Sequence, residues 1–376
     1  MTTACPGGEV QPAYPPHVLR DYAFIADGRR GALIGPSGDI TWLCAPRWDS
    51  PAVISHLIGG DGIYAITPTD PYVWGGYYEP GSLIWCSRWV TTDGIIECRQ
   101  ALAYPGDPHR TVVLRRVVAG DKPARVHVTL RLSAAFGRTP MDLPHRDDAG
   151  RWNGRSGELR VRWTGGADAD YRHGALHLNL TVNAHQHHDF ILEISDRPLD
   201  DCDQPEGWWS ATEQAWRSAV PDFRRGVAPH DARHSYAVLR GLTSPDGGMV
   251  AAATLGLPER SDDGRNYDYR YIWIRDQTYA GLACAVSEPH PLLDEALAFV
   301  TARVLEHGDR LAPAYLPEGG SVPTETTLGL PGYPGDTVGN WVRHQFQLDT
   351  CGEILQLLAA GARTSHLNAE HERAID

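Results

Sequence analysis

Apolar positions along this chain change their spacing once, near Trp208. Before it they recur at every second residue in short runs bounded by turn-forming residues, the period of strands whose side chains alternate between two faces. ARVHVTLRLS places Val126, Val128, Leu130 and Leu132 on one face, and ALHLNLTV repeats the pattern with Leu176, Leu178, Leu180 and Val182. GALIGPSGDITWLC predicts a hairpin, residues 32–34 and 40–43 joined by the Pro36-Ser37-Gly38-Asp39 turn. SLIWCSRWVTTDGIIECRQAL predicts a second with Asp93-Gly94 at its tip, and RTVVLRRVV adds another strand. Many short strands with no helix between them predict an antiparallel β-sandwich over residues 18–205. The Pro- and Gly-rich stretch 1–17 reads as a loose arm.

After Trp208 the period becomes helical. GWWSATEQAWRSAV reads as a helical linker within 206–228, and a helix capped by Asp231 runs until the SPDGG turn at Ser244–Gly248. TYAGLACAV begins a second helix. HPLLDEALAFVTARVLEHG makes a third, with Leu293, Leu297, Val300 and Val304 on one face. A long Gly/Pro-rich connection from Asp309 to Asn340 precedes a helix in QLDTCGEILQLLAAG, and LNAEHERAID starts another. Residues 229–376 are therefore expected to be all-α with long loops.

Composition narrows the partners. A formal net charge of −13 over 376 residues argues against nucleic acid, which needs clustered Lys and Arg. No apolar run approaches the ~20 residues of a membrane-spanning helix. Seven Cys without a CxxC, and no secretory h-region after Met1, lead to the expectation of reduced thiols in a cytoplasmic protein. Twelve Trp and fifteen Tyr stand against six Phe, a set whose members join an apolar body to a polar handle.

The densest use of that set is NYDYRYIWIRDQ. Tyr267, Tyr269, Tyr271 and Trp273 alternate, and Arg275-Asp276 follow. Flat rings stack on the C–H faces of a sugar, while a guanidinium fork and a carboxylate bond its hydroxyls. On spacing alone, an ordinary ion pair with Asp276 at a helix start explains Arg275-Asp276 better; the aromatics move the balance toward a ligand site. A second candidate is PGYPGDTVGNWVRHQFQLD, where Gly332, Gly335 and Gly339 deliver Trp341, Arg343, Gln345, Gln347 and Asp349 ahead of a helix. Its rival reading has Gln347 and Asp349 as helix caps and Trp341 in the core. His185–His188 and the group Asp196, Asp201 and Asp203 lack metal-ligand spacing, so neither a metal nor a cofactor is expected.

Three blocks carry a family resemblance. Asp21 to Gly60 resembles the trehalase-like N-terminal β-sandwich of bacterial glycoside hydrolase family 15 members. Gly247 to Asp276, ending in YRYIWIRD, resembles the opening of that family's catalytic helical barrel, and GNWVRHQFQLDTCGE resembles its next substrate-side segment. The resemblance implies a multidomain β plus α fold, an antiparallel sandwich followed by an (α/α)6 barrel. It also implies exo-acting, inverting hydrolysis of α-glucosidic bonds in trehalose or malto- or isomalto-oligosaccharides. It assigns the glucose-holding subsite to Tyr269, Trp273, Arg275 and Asp276, with help from Trp341, Arg343, Gln347 and Asp349. Asn266-Tyr267 departs mildly from the Asn-Trp common in bacterial relatives.

Inversion needs two carboxyl groups about 6.5–9.5 Å apart, one as acid and one as base. The resemblance places both Glu residues in later barrel segments, in a GIWE-like string and near a Gly-Asn-Phe-Pro-like string. This sequence contains neither, and Glu318, Glu325 and Glu353 fall at positions the resemblance does not mark as catalytic. Twelve helices of ~11–12 residues with ordinary loops need roughly 200 residues. The expectation is an incomplete barrel with no catalytic residue of its own. The alternatives are a non-catalytic carbohydrate-binding or scaffold remnant, or one part of a split enzyme; the partners expected are the α-glucoside and either a second copy in a homo-oligomer or a second chain completing the barrel.

Overall fold

The computed structural model describes residues 14–199, 204–224, 226–255, 258–260, 265–286, 290–331 and 336–375. Cys5, Asp201, Cys202, Asp203, Gly332, Gly335 and most of the N-terminal arm lie outside them. The alternating runs form two eight-stranded antiparallel sheets. The first orders Ala23–Ala26, Gly31–Ile34, Asp39–Cys44, Ile63–Pro68, Ala124–Arg131, Ala175–Val182 and Asp170–Arg172, with Ala52–Ile54 beside Asp39–Cys44. The second orders His145–Arg146, Trp152–Ser156, Leu159–Thr164, His187–Ser195, Arg110–Ala119, Ile95–Leu102, Trp85–Thr91 and Tyr72–Tyr78.

Register follows the apolar period. Val126 pairs with Leu180, Val128 with Leu178 and Leu130 with Leu176, so two alternating sets share one face. That face meets Val113, Val117, Leu192 and Trp163 of the second sheet in a common core. Trp163 stacks on Phe190 at 5.5 Å, and its Nε1 donates to the Tyr64 hydroxyl at 3.1 Å.

The second sheet is covered on its other face as well, which explains the continuous apolar reading of RTVVLRRVV. Val112, Leu114 and Ile191 join a core with Trp209, Trp216 and the later helices. Helix α1, Pro205–Ala219, lies there: Trp216 stacks on Tyr104 at 4.1 Å, and Trp209 Nε1 donates to Asp189 at 3.0 Å. Helix α2, Pro229–Leu242, starts two residues before the expected cap, because Pro229 brings a preset φ to the first turn and Asp231 falls inside the helix. The SPDGG turn stops it as expected, closed by Ser244 N–H to the Gly248 carbonyl.

Helices α3 (Ile274–Ala283), α4 (Pro291–His307), α5 (Asp349–Arg363) and α6 (Ala369–Ile375) follow. α3 begins earlier than the TYAGLACAV reading and takes Arg275 and Asp276 into its first turn. The long connection is not structureless, since Ala314–Tyr315 pairs with Ile272–Trp273 and Thr326–Thr327 with Thr337–Val338. Cys44, Cys86, Cys98 and Cys284 are free and buried, and Cys351 is free and exposed. No described helix is long and apolar enough to cross a membrane.

Asp39, at the second strand of the first hairpin, is fully buried. Burial pushes its carboxyl from an ordinary 3.8 up to about 7, its own backbone N–H and the Arg115 guanidinium opposing only in part. The folded chain therefore holds a proton there that the unfolded chain releases, and stability falls as pH rises from about 4 to about 7. Urea unfolding of wild type and Asp39→Asn across that range should show the wild-type midpoint declining relative to the variant. Parallel curves would show that Asp39 contributes no such dependence.

Candidate functional site

The segment Asn266–Trp273 is sorted by burial. Asp268 and Arg270 are fully buried, Tyr271 and Trp273 nearly so, and Tyr269 is 40% exposed. The Tyr269 ring lies 5.6 Å from Trp273 and 6.0 Å from Tyr267, an aromatic strip with one solvent-facing member. Arg270 explains the inward turn of its neighbours. Its Nε and Nη2 donate to both Asp268 oxygens at 2.9 and 2.8 Å. Nη1 donates to the Ser50 and Trp48 carbonyls at 2.7 and 3.1 Å and meets Cys44 Sγ at 3.4 Å. Burial works against the guanidinium charge, but Asp268 outweighs it and holds the proton more firmly than usual.

Asp268 also collects the second candidate segment. Its Oδ2 accepts from the Tyr271 hydroxyl at 2.7 Å and from Gly339 N–H at 3.1 Å. Its carbonyl accepts from Asn340 Nδ2 at 3.0 Å, and Asn340 Oδ1 caps the following turn through Val342 N–H at 2.9 Å. Gly339 has φ of +85°, and an added Cβ would stand 2.5 Å from the Thr324 carbonyl, so the approach requires glycine.

The first turn of α3 faces the start of α5. Arg275 Nη1 donates to Asp349 Oδ2 at 3.1 Å and reaches Gln347 Oε1 at 3.4 Å, while Gln347 Nε2 donates to Gln345 at 3.0 Å. Asp349 lies in the first turn of α5, whose N-cap position is held by Leu348. Asp276 is half-buried, and burial raises its carboxyl above the ordinary range against the pull of Arg275. The structure therefore gathers Arg275, Asp276, Gln347 and Asp349, with Tyr269 and Trp273 in the segment that leads into α3. Trp341 and Arg343 make other contacts. Trp341 is 55% exposed, its N–H donates to Glu325 at 3.0 Å, and its ring leans on His344; Arg343 donates to Thr324 at 3.2 Å.

Sequence reasoning passed over Asp268, Arg270 and Asn340. The signal available was an acid and a base alternating with aromatics, a pattern that places both on one side of an extended segment. Elsewhere, His187, Asp189 and Glu206 bring donor atoms within 4.8 Å of one another. Arg116 already fills that space, giving Nε and Nη2 to the two Asp189 oxygens at 2.8 Å each and Nη2 to Glu206 at 2.7 Å.

Removing one partner of a buried ion pair leaves the other charge uncompensated. Asp268→Asn is expected to cost about 3–5 kcal/mol in urea unfolding, and the double replacement Asp268→Leu with Arg270→Met clearly less. Equal losses would show that the pair does not act as a unit.

Two family comparisons divide the chain much as the structure does. Residues 14–194 match the family described as trehalase-like, N-terminal, and residues 233–376 match glycosyl hydrolases family 15. A trehalase of Mycolicibacterium smegmatis is 30% identical over 321 residues, covering 73% of this chain and 45% of that protein. A trehalase of Mycobacterium tuberculosis is 29% identical over 303 residues, 71% of this chain and 43% of that protein. Trehalase 1 of Sulfolobus acidocaldarius is 27% identical over 365 residues, 90% and 59%. The chain thus spans about half the length of the curated relatives it matches. Its fold is similar to a bacterial glucoamylase solved with acarbose, with a TM-score of 0.58 at 10% identity over 97% of this chain and 58% of that one. Sandwich, helices and both matched segments agree: the chain belongs to glycosyl hydrolases family 15 and carries the family's trehalase-like N-terminal region.

Proposed function

We propose that this chain forms the sugar-gripping part of an α-glucoside hydrolase, with trehalose as the first substrate to test. The observation that carries this reading is the Arg275 fork, held by Asp349 and Gln347 beside a raised Asp276 carboxyl, on the helix that the Tyr269–Trp273 strip leads into. A glucose ring offers C–H faces to Tyr269 and hydroxyls to Arg275 and Asp276. The trehalases among its relatives favour a substrate of two joined glucoses over a long polymer.

In this reading Tyr269, Trp273, Arg275, Asp276, Gln347 and Asp349 orient the sugar, and Trp341 and Arg343 extend the surface on the same loop. The reaction is exo-acting and inverting. Its acid and base are two carboxyl groups flanking the bond, supplied by family segments beyond those in this chain. The helices here form the first part of an (α/α)6 barrel. Tyr279 on α3, Leu355 on α5, and Phe346 and Leu348 just before α5 are exposed apolar side chains, which is in keeping with further polypeptide packing against these helices.

Calorimetry with the purified chain should detect millimolar binding of trehalose or glucose, lost in Asp276→Ala. Glucose release from trehalose or maltose should stay at background. Release above background that disappears in Asp276→Ala would overturn the placement of acid and base elsewhere; absence of binding at millimolar ligand would remove the sugar-site reading for this chain.

A further inference from the structure

The helix pair that carries Arg275 and Asp276 also holds a carboxylate that its surroundings leave unsatisfied. Glu353, one turn into α5 beyond Asp349, is 6% exposed. Its Oε2 is closed off from solvent and has no hydrogen-bond partner among the described residues. α3 and α5 run side by side, since a Cβ at Gly281 would sit 2.7 Å from Leu357 Cδ1. About one turn back from that contact, Asp276 stands on α3 and Glu353 on α5, so both helix N-termini open at the same end.

Asp349, Arg275 and Asp276 are the charged groups that face Glu353. Burial first, then Asp349, pushes its carboxyl above the ordinary range, with Arg275 opposing. Arg275 gives Nη1 to Asp349 and Gln347, and among the described residues none of its nitrogens donates to Glu353 Oε2. Nor are the three acids gathered closely enough to share a cation; among the described residues the group that meets that test is His187, Asp189 and Glu206. A buried acceptor without a donor is costlier than an ordinary hydrogen bond is stabilising. Glu353 thus keeps acceptor capacity that no described donor uses, and a neutral polyhydroxyl supplies O–H groups to a crowded acidic site without adding charge.

We propose that Glu353 is a hydroxyl-binding residue of this site, accepting O–H donors from the bound α-glucoside alongside Asp276. The proposal rests on the reading of this cluster as an α-glucoside site.

The test uses the full chain with trehalose as probe. Calorimetry compares wild type, Asp276→Ala, Glu353→Leu and Glu353→Gln, and carboxyl ¹³C NMR follows the titration of Glu353 with and without trehalose. Glu353→Leu is expected to weaken binding about tenfold to a hundredfold, and Glu353→Gln less, because its amide keeps an acceptor of similar shape. Trehalose should lower the pH at which Glu353 titrates, since donated hydrogen bonds favour the charged form. Suppose wild type binds trehalose and Asp276→Ala weakens it, while a Glu353→Leu chain with unchanged helix content and melting binds like wild type. The Glu353 proposal then falls and the site reading stands. If Glu353→Leu does not fold, a Glu353 signal that titrates identically with and without trehalose overturns the proposal by itself. A wild type that binds no trehalose removes the site reading and Glu353 with it.

Discussion

Everything that places the aromatic strip depends on the buried pair Arg270–Asp268. A fully buried guanidinium is tolerable only when each of its donors is used, and here they are divided between one carboxylate and the carbonyls of Trp48 and Ser50 in the sandwich. The carboxylate in turn holds Tyr271 and Gly339. Three separate stretches of chain are thereby drawn to one point. Such a pair adds little net stability compared with a well-packed apolar substitute, yet leaving either charge unmatched is expensive, so it acts as a constraint on geometry. With Asp268 and Arg270 committed inward, the ring between them, Tyr269, is turned to solvent.

The sandwich is accordingly more than an appended domain. The central strands of its second sheet, Arg110–Ala119 and His187–Ser195, are buried on both faces, one against the first sheet and one against α1 and the later helices. Trp42 Nε1 donates to the Ala253 carbonyl at 2.7 Å, and Gly28 N–H to the Gly241 carbonyl at 3.0 Å, so the first sheet also holds the end of α2 and the segment after its closing turn. Loops that would wander on an isolated helical layer are held on a rigid β platform, the arrangement that lets loop residues keep a defined position.

Where α3 and α5 begin, the Arg275 guanidinium stands among Asp276, Asp349 and Glu353, and burial raises the Asp276 and Glu353 carboxyls above the ordinary range. The opening ends of α3 and α5 place partial positive charge beneath them, which favours acids in the first turns. The balance remains acidic, in keeping with a chain of net charge −13.

Much of this was legible in the residues themselves. Strand period, the Pro36–Asp39 and Asp93-Gly94 turns, the helical stripe of α4 and the Tyr/Trp run are local patterns, set by how successive side chains point, and they suffice for a sandwich followed by helices. The family resemblance in YRYIWIRD and QFQLDTCGE was likewise carried by short strings. Other features needed the folded chain. The earlier start of α3, the pairing of Ile272–Trp273 with Ala314–Tyr315, and the isolation of Glu353 each depend on residues distant in sequence. Alternation could say that Asp268 and Arg270 share a side, but not that the side is buried; the carbonyls of Trp48 and Ser50 decide that, more than two hundred residues away. Local sequence determines which way a side chain points relative to its neighbours, whereas what it meets there, and hence its charge and exposure, is decided by long-range packing.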